Sequence, residues 1–318
     1  MPDVICLGEA LIDFVSTEAG VSLIEAPAFQ KSPGGAPANV AVGLARLGIS
    51  TGFMGKVGDD PFGRFLLDVM TQEGVDISSV RLSSSARTAL AFVSLQKDGD
   101  RDFMFYRHPS ADMLFTPEEV DETLLRSTKI FHFGSISLIG EPSRSATHRA
   151  IDVARAEGIL ISYDPNLRFN LWPDAETAKV HILKVWEQAD VIKISQEDLI
   201  FLTGISHPEK GGRRLWHNGL RLLVITQGRD GCTYLTPDHL GYLEGFHVKA
   251  IDSTGAGDAF VAGLLMGLHK QPEAFKDEAI LREVCQFANA AGALTTTKRG
   301  AIPALPTTEM VEAFLERN

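Results

Sequence analysis

The sequence has few cysteines, no cationic excess and no long apolar run. Its three cysteines, Cys6, Cys232 and Cys285, lie far apart with no Cys-x-x-Cys spacing. Neither a disulfide frame nor a thiolate zinc site is implied, and free thiols suit a reducing compartment. Lys and Arg number 30 against 41 Asp and Glu, a net charge of −11. Such a chain has no global field for nucleic acid or an anionic membrane, although a local basic pocket can still hold a phosphate. The longest apolar run, Ala259–Leu268, is about half the roughly twenty residues a membrane span needs. Asp3, Glu9 and Asp13 occupy the segment where a secretory signal would need a positive start and an apolar stretch, and no Asn-x-Ser/Thr sequon occurs. The expectation is a cytoplasmic protein.

Several chemical motifs are also missing. Gly55-Lys56 lacks the following Ser/Thr and the upstream glycine of a Walker loop, no Gly-x-Gly-x-x-Gly follows the first strand pattern, and there is no Gly-x-Ser-x-Gly elbow. Asp98, Asp100 and Asp102 mimic a calcium loop, but Phe103 stands where the loop needs glycine, so a solvated hairpin is the better reading. The nine histidines show no paired spacing.

What is present is the mix of a water-soluble chain with a sizeable core: 44% hydrophobic and 22% charged over 318 residues. Short β-branched runs alternate with helix-length amphipathic ones. Val4–Leu7 precedes a helical pattern over 37–47, and Thr51–Val57 precedes another over 61–73. Thr116-Pro-Glu-Glu119 reads as a capping box opening a helix to about Arg126. Strand–helix pairs follow at 129–133 and 143–157, 159–163 and 175–188, and 191–194 and 197–203. A strand over 222–226 and helices over 257–269 and 279–296 complete the series. This alternation predicts a mostly parallel sheet with helices on both faces. The stretches 14–32 and 88–107 have period-two character with no helix after them, and Lys97-Asp-Gly-Asp100 suits a hairpin turn. They read either as an inserted β-sheet lid over a pocket or as edge strands with no role. Residues 1–318 are expected to form a single domain carrying that lid.

The sharpest local signal is Asp252-Ser-Thr-Gly-Ala-Gly-Asp258, directly before a helical pattern. Gly255, Ala256 and Gly257 leave backbone N–H groups bare where a helix begins, a suitable place for an anionic oxygen. A lone Asp in a first turn is usually a cap, but that does not explain two close glycines and a second Asp upstream. A carboxylate beside an anion hole suits phosphoryl transfer, in which a base takes the acceptor proton while dipoles hold the moving group. Gly34-Gly-Ala-Pro-Ala-Asn39 lets the backbone approach a ligand and puts an amide side chain on a first turn. Asp164-Pro-Asn-Leu-Arg168 stands at the end of an expected strand, where α/β sheets bind ligands, and reads as a hydroxyl-binding group or a polar turn. Thr226-Gln-Gly-Arg-Asp-Gly231 suits a turn close to a nucleotide or an ordinary hairpin.

These segments resemble the ribokinase-like (pfkB) carbohydrate kinases, and the resemblance runs from Gly8-Glu-Ala-Leu-Ile-Asp13 to Gly300-Ala-Ile-Pro-Ala-Leu-Pro306. It implies a Rossmann-like α/β domain with a β lid that uses ATP and Mg2+ to phosphorylate a primary hydroxyl. Carried over by motif, Asp258 is the catalytic base and the Gly255–Gly257 amides are the anion hole. Asp13, Gly34, Gly35, Asn39 and Arg168 would contact sugar; Lys193, Thr226, Gly228, Gly231 and Asn289 would contact the nucleotide. Asp252, Thr254 and the Gly300 loop correspond to a monovalent-cation site, for K+. The family's Asn-x-x-Glu is here Ser195-Gln-Glu-Asp198, so Asp198 or Glu197 would serve Mg2+ through water. Phe105-Tyr-Arg-His-Pro-Ser-Ala-Asp112 and Phe131-His-Phe-Gly-Ser135 are most similar to fructokinases, with Arg107 reaching the sugar from the lid. The implied reaction is transfer of the γ-phosphoryl of ATP to the 6-hydroxyl of D-fructose. Ribose or 2-keto-3-deoxygluconate as acceptor, and a silent sugar-binding regulator, are the alternatives. Exposed lid strands often pair between subunits, so a homodimer through the lid is a further expectation.

Overall fold

The computed structural model describes residues 1–95 and 101–318; the expected turn at Lys97–Asp100 lies outside them. The chain opens with β1 (Val4–Leu7), the antiparallel pair β2 (Leu11–Ser16) and β3 (Phe29–Gly34), and α1 (Ala36–Arg46). Next come β4 (Thr51–Gly58), α2 (Pro61–Gln72) and β5 (Val80–Ser83), then a second antiparallel pair, β6 (Ala89–Leu95) and β7 (Arg101–Tyr106). After α3 (Glu122–Arg126), the series β8 (Ile130–Gly134), α4 (Ser143–Ala156), β9 (Leu160–Asp164), α5 (Ala175–Trp186), β10 (Val191–Ser195) crosses the sheet step by step. It continues through α6 (Gln196–Thr203), α7 (Pro208–Leu215), β11 (Leu222–Thr226), β12 (Gly231–Leu235) and β13 (Leu240–Glu244), and ends with α8 (Ala256–Lys270), α9 (Glu278–Thr295) and α10 (Thr308–Leu315).

Nine strands form one sheet in the order β13-β12-β11-β10-β9-β8-β1-β4-β5, in which only β12 runs against the rest. Side chains alternate between its two faces, as a pleat demands. Ile5, Leu7, Phe131, Phe133, Ile192 and Ile194 pack under α4 and α5. Val4, Cys6 and Ile130 face α1 and α8, and Val191, Leu222 and Val224 face α8 and α9. A strand buried on both faces reads as a continuous apolar run, which is why these strands were legible in the sequence. The chain runs from β1 to β4 in one direction and from β8 to β11 in the other, so the strand order reverses beside β1. Open α/β sheets bind ligands at that point, beyond the carboxyl ends of the strands.

The two inserted stretches meet in a separate four-stranded sheet, β3-β2-β6-β7, through parallel pairing of β2 with β6. The helix expected from Thr116 to Arg126 is a correction. Thr116 and Glu119 do form a capping box, but over one 3-10 turn, Pro117–Glu119; Val120 then turns extended and α3 restarts under an Asp121 cap. Elsewhere the expected helix starts agree to within a residue, and side chains cap them: Asp60 accepts from Phe62 and Gly63, Asp174 from Thr177, and Asp277 from Ala279 and Ile280.

Candidate active site

The turn ahead of α8 and the first turn of α1 meet at the switch point. Gly255 is left-handed (φ 78), and a Cβ there would sit 2.8 Å from that of Ala301, so only glycine closes this turn. A Cβ on Gly257 would lie 3.1 Å from Lys193 Nζ, which puts an ammonium directly beside the turn; the Ala256 N–H, expected to be bare, instead donates to Ser253 O at 3.3 Å. Asp258 follows, 7% exposed, and its Oδ2 accepts a 2.8 Å hydrogen bond from Asn39 Nδ2 on α1. Burial pushes the Asp258 carboxyl up to about 6, with Asp164 adding to the rise and Asn39, Lys193 and Arg168 opposing it. Asn39 Oδ1 is buried and has no hydrogen-bond partner.

Above this pair lies a cavity of about 140 Å³. Leu11, Asp13, Phe103 and Phe105 descend to it from the lid; Glu9, Gly35, Ala36, Asn39, Ile136, Asn166 and Arg168 line its sides; Ser253–Gly255, Gly257 and Asp258 close one end. Gly34 is not in the lining. It lies beneath the Asp13 carboxylate, where any side chain would strike that carboxylate. Arg107 is also absent from the lining. Its guanidinium turns back onto Asp112, at 2.6 and 2.8 Å, and is 5% exposed.

On the other side of the turn, Lys193 on β10 pairs with Asp164 at the end of β9 at 3.0 Å, both buried. Burial works against the Lys193 charge, but the Asp164 and Asp198 carboxylates overcome it and hold its pKa above the usual value. Asp198 caps α6 reciprocally with Ser195, and burial, with Asp164 nearby, raises its pKa. Glu197 beside it points to solvent. Asp252 accepts from the Thr254 N–H and hydroxyl through Oδ1 and from the Gly300 N–H through Oδ2, tying the turn to the Gly300 loop. Among the described residues no group of three His, Cys, Asp or Glu is arranged to hold a metal by itself.

Thr226 ends β11, and its hydroxyl donates to Ile194 O. Gly228 and Gly231 both have positive φ in the turn to β12; a Cβ on Gly231 would strike backbone of β13, whereas Gly228 faces open space. Asn289 on α9 lies behind this turn, donating to Cys232 Sγ at 3.5 Å, and Cys232 is the register partner of Thr226. The structure thus brings most of the expected residues, Gly34 and Arg107 excepted, around a small polar cavity, the turn ahead of α8 with its lysine, and a second turn beyond it. Asn166 comes from the Asp164–Arg168 segment read as a hydroxyl-binding group, whereas Glu9, Phe103 and Phe105 were not anticipated as lining residues. Only Glu9, next to Gly8 at a strand end, carried a usable signal.

Residues 1–308 match the pfkB family of carbohydrate kinases. Fructokinase-2 of Solanum lycopersicum is 54% identical over 305 residues, 96% of this chain and 93% of that protein. The crystal structure of a fructokinase with bound ATP from Xylella fastidiosa superposes with a TM-score of 0.91 at 35% identity, covering 100% of this chain and 99% of that one. A fructokinase double mutant from Vibrio cholerae O395, with fructose, ADP and a potassium ion bound, gives 0.89 at 37% identity, covering 99% and 98%. With motifs, topology and relatives in agreement over the whole length, this chain is a member of the pfkB family of carbohydrate kinases, enzymes that phosphorylate sugars.

Proposed function

We propose that the protein is a fructokinase, transferring the γ-phosphoryl of Mg-ATP to the 6-hydroxyl of D-fructose. The observation that carries this is the Asp258 carboxylate at the closed end of a small polar cavity, oriented by Asn39 and flanked by the amides of Gly255–Gly257 and Lys193 Nζ. Asp258 accepts the proton of the 6-hydroxyl. The phosphoryl oxygens rest on the N-terminus of α8, where aligned N–H groups and Lys193 offset the charge that spreads over them. Asn39 Oδ1, buried and unpartnered, is an acceptor for a sugar hydroxyl, as are Asp13 and Asn166; Arg168 donates. Thr226, Gly228, Gly231 and Asn289 border the nucleotide.

Mg2+, when bound, neutralises the phosphates and takes most of its ligands from them and from water, so it needs few protein oxygens. Asp198, a hard oxygen donor close to Lys193 and Asp164, fits a water-mediated role there; Glu197, pointing to solvent, fits less well. The Asp252 carboxylate, with Thr254 and the Gly300 loop, is the proposed K+ site.

Fructose is favoured over 2-keto-3-deoxygluconate by the cations in the cavity wall. A carboxylate substrate needs a cation beyond the one that reads hydroxyls. Among the described residues Arg168 is the one cation in the cavity lining, Arg107 being committed to Asp112. Residues 1–318 act as one catalytic domain with its lid. The outer lid face suits pairing with a second copy, and three buried free cysteines suit the cytoplasm. Among the described residues no helix is long and apolar enough to cross a membrane. The test is coupled ADP release with Mg-ATP over D-fructose, D-ribose and 2-keto-3-deoxygluconate. Preference for fructose by several orders of magnitude in kcat/KM is the expected result. Preference for another member would move the substrate, and binding without turnover on any would sink the kinase reading.

A further inference from the structure

Glu9 is a buried carboxylate for which the phosphoryl-transfer chemistry has no use. It stands two residues beyond the end of β1, is 3% exposed, and lines the sugar cavity beside Gly35, Ala36 and Asn39. Its Oε1 accepts the Ala36 N–H at 3.0 Å, at the start of α1. Its other interactions are with its own backbone N–H and, at longer range, with Arg107 and Asp112. A carboxylate offers about four acceptor positions, so capacity remains on the side that faces the cavity.

The charges around it come from several elements. Arg107 at the end of β7 and Asp112 in the turn after it stand behind Glu9 as a closed pair at 2.6 Å. Across the cavity are Asp13 on the lid, Arg168 after β9 and Asp258 on α8. The first turn of α1 brings N–H groups but no acidic side chain. On β4, Lys56 is paired with Glu119 at 2.7 Å. Glu9 is therefore a cavity carboxylate backed by a helix N-terminus and an arginine, a setting in which its ionised form can persist despite burial.

We infer that ionised Glu9 accepts a hydroxyl of the bound sugar and sets the affinity for it, taking no part in the phosphoryl step. The identity of that sugar rests on the fructokinase reading. Burial pushes the Glu9 carboxyl up to about 7, its own N–H, Arg107 and the Ala36 N–H opposing the rise and Asp112 adding to it. Sugar affinity is then gained as pH rises through neutrality, and binding expels a proton from the protonated fraction.

The experiment measures kcat and KM for fructose at saturating Mg-ATP between pH 6 and 8.5, in wild type and Glu9→Gln. Wild-type KM should fall roughly tenfold from pH 6 to 8 as the acceptor ionises. Glu9→Gln should have a KM roughly 10–100-fold higher at pH 8, the range expected for one hydrogen bond to a charged group, with no slope in pH and kcat within about threefold. Should the variant fail to fold, calorimetric titration of wild type with fructose at pH 7, in two buffers of different ionisation enthalpy, reads the released proton directly. A flat wild-type KM, a Glu9→Gln enzyme that keeps the wild-type KM and its slope, or binding without proton release would each overturn the assignment. Wild type inactive on fructose at every pH would count against the fructose reading alone. Glu9 would then stand or fall on the same KM profile with whichever panel sugar is turned over.

Discussion

Asp258 shows how a catalytic residue sits against the stability of its own fold. Its folded pKa, about 6, is above the ordinary 3.8. An unfolded chain therefore releases this proton first as pH rises, and the stability present below about pH 4 is lost between about 4 and 6. At neutral pH the buried charge costs up to about 3 kcal/mol, the equivalent of roughly two pKa units. Asp258→Asn should remove that cost. We expect a melting temperature at or a few degrees above wild type together with a loss of kcat of roughly 10²–10⁴-fold or more. Wild-type kcat at saturating fructose should fall on the acid side with a midpoint near 6. A variant with near-normal turnover, or a kcat with no acid limb, would mean that the proton goes elsewhere. Lys193 makes the complementary case, a cation kept charged in the interior because Asp164 is 3.0 Å away.

At the scale of elements, the Asn39–Asp258 hydrogen bond depends on how closely α1 and α8 approach. Gly43 lies one turn beyond Asn39, and Ala262 one turn beyond Asp258. A Cβ on Gly43 would come 2.8 Å from the Ala262 Cβ, a contact with no flexible atom to give way. Gly43→Ala should gain about 1 kcal/mol of helix propensity and lose about 1–3 to overpacking. Its main effect should be a drop in kcat of about tenfold or more, since the displaced turn carries the group that orients the base. The double variant Gly43→Ala, Ala262→Gly should recover much of that activity. A single variant with unchanged kcat would show that the helix spacing is not what aims Asp258. The lid works on the opposite principle: Phe103 and Phe105 reach the cavity from a sheet with its own small apolar cluster of Leu11, Ala89 and Ala91. Fructose should slow amide exchange in Ala89–Leu95 and Arg101–Tyr106, and unchanged exchange there would argue against closure.

For the whole molecule, the outer lid face raises the question of assembly. Phe14 stacks on Phe92 at 5.1 Å, and Phe92 meets Phe29 and Tyr106 edge-on. Tyr106 and Met104 are 58% and 44% exposed. An aromatic sheet face left to solvent is a common mark of an interface. Sedimentation of the wild type should give twice the chain mass, and Tyr106→Glu combined with Met104→Glu should give the monomer. A wild type that sediments as a monomer at micromolar concentration would overturn the lid dimer.

The sequence by itself determined the alternation of strands and helices, because strands buried on both faces must be continuously apolar and half-buried helices must repeat apolar residues at helical spacing. It also marked Gly255–Asp258 and Gly35–Asn39, since only certain residues can form those turns. It misled at Thr116–Arg126, where the capping box supports one turn before Val120 goes to the core. It did not reveal α7, whose Gly211-Gly212 pair disfavours a helix in isolation; there the closeness of Leu199, Ile225 and Leu235 requires glycine. Tertiary structure alone decided that Asn39 meets Asp258 across 219 positions, that Lys193 stands beside Gly257, and that Arg107 is drawn onto Asp112 and leaves Glu9 facing the cavity. The physical reason is that periodicity and capping act over a few residues, whereas burial, desolvation and the pairing of charges depend on which distant segments the sheet brings to one edge.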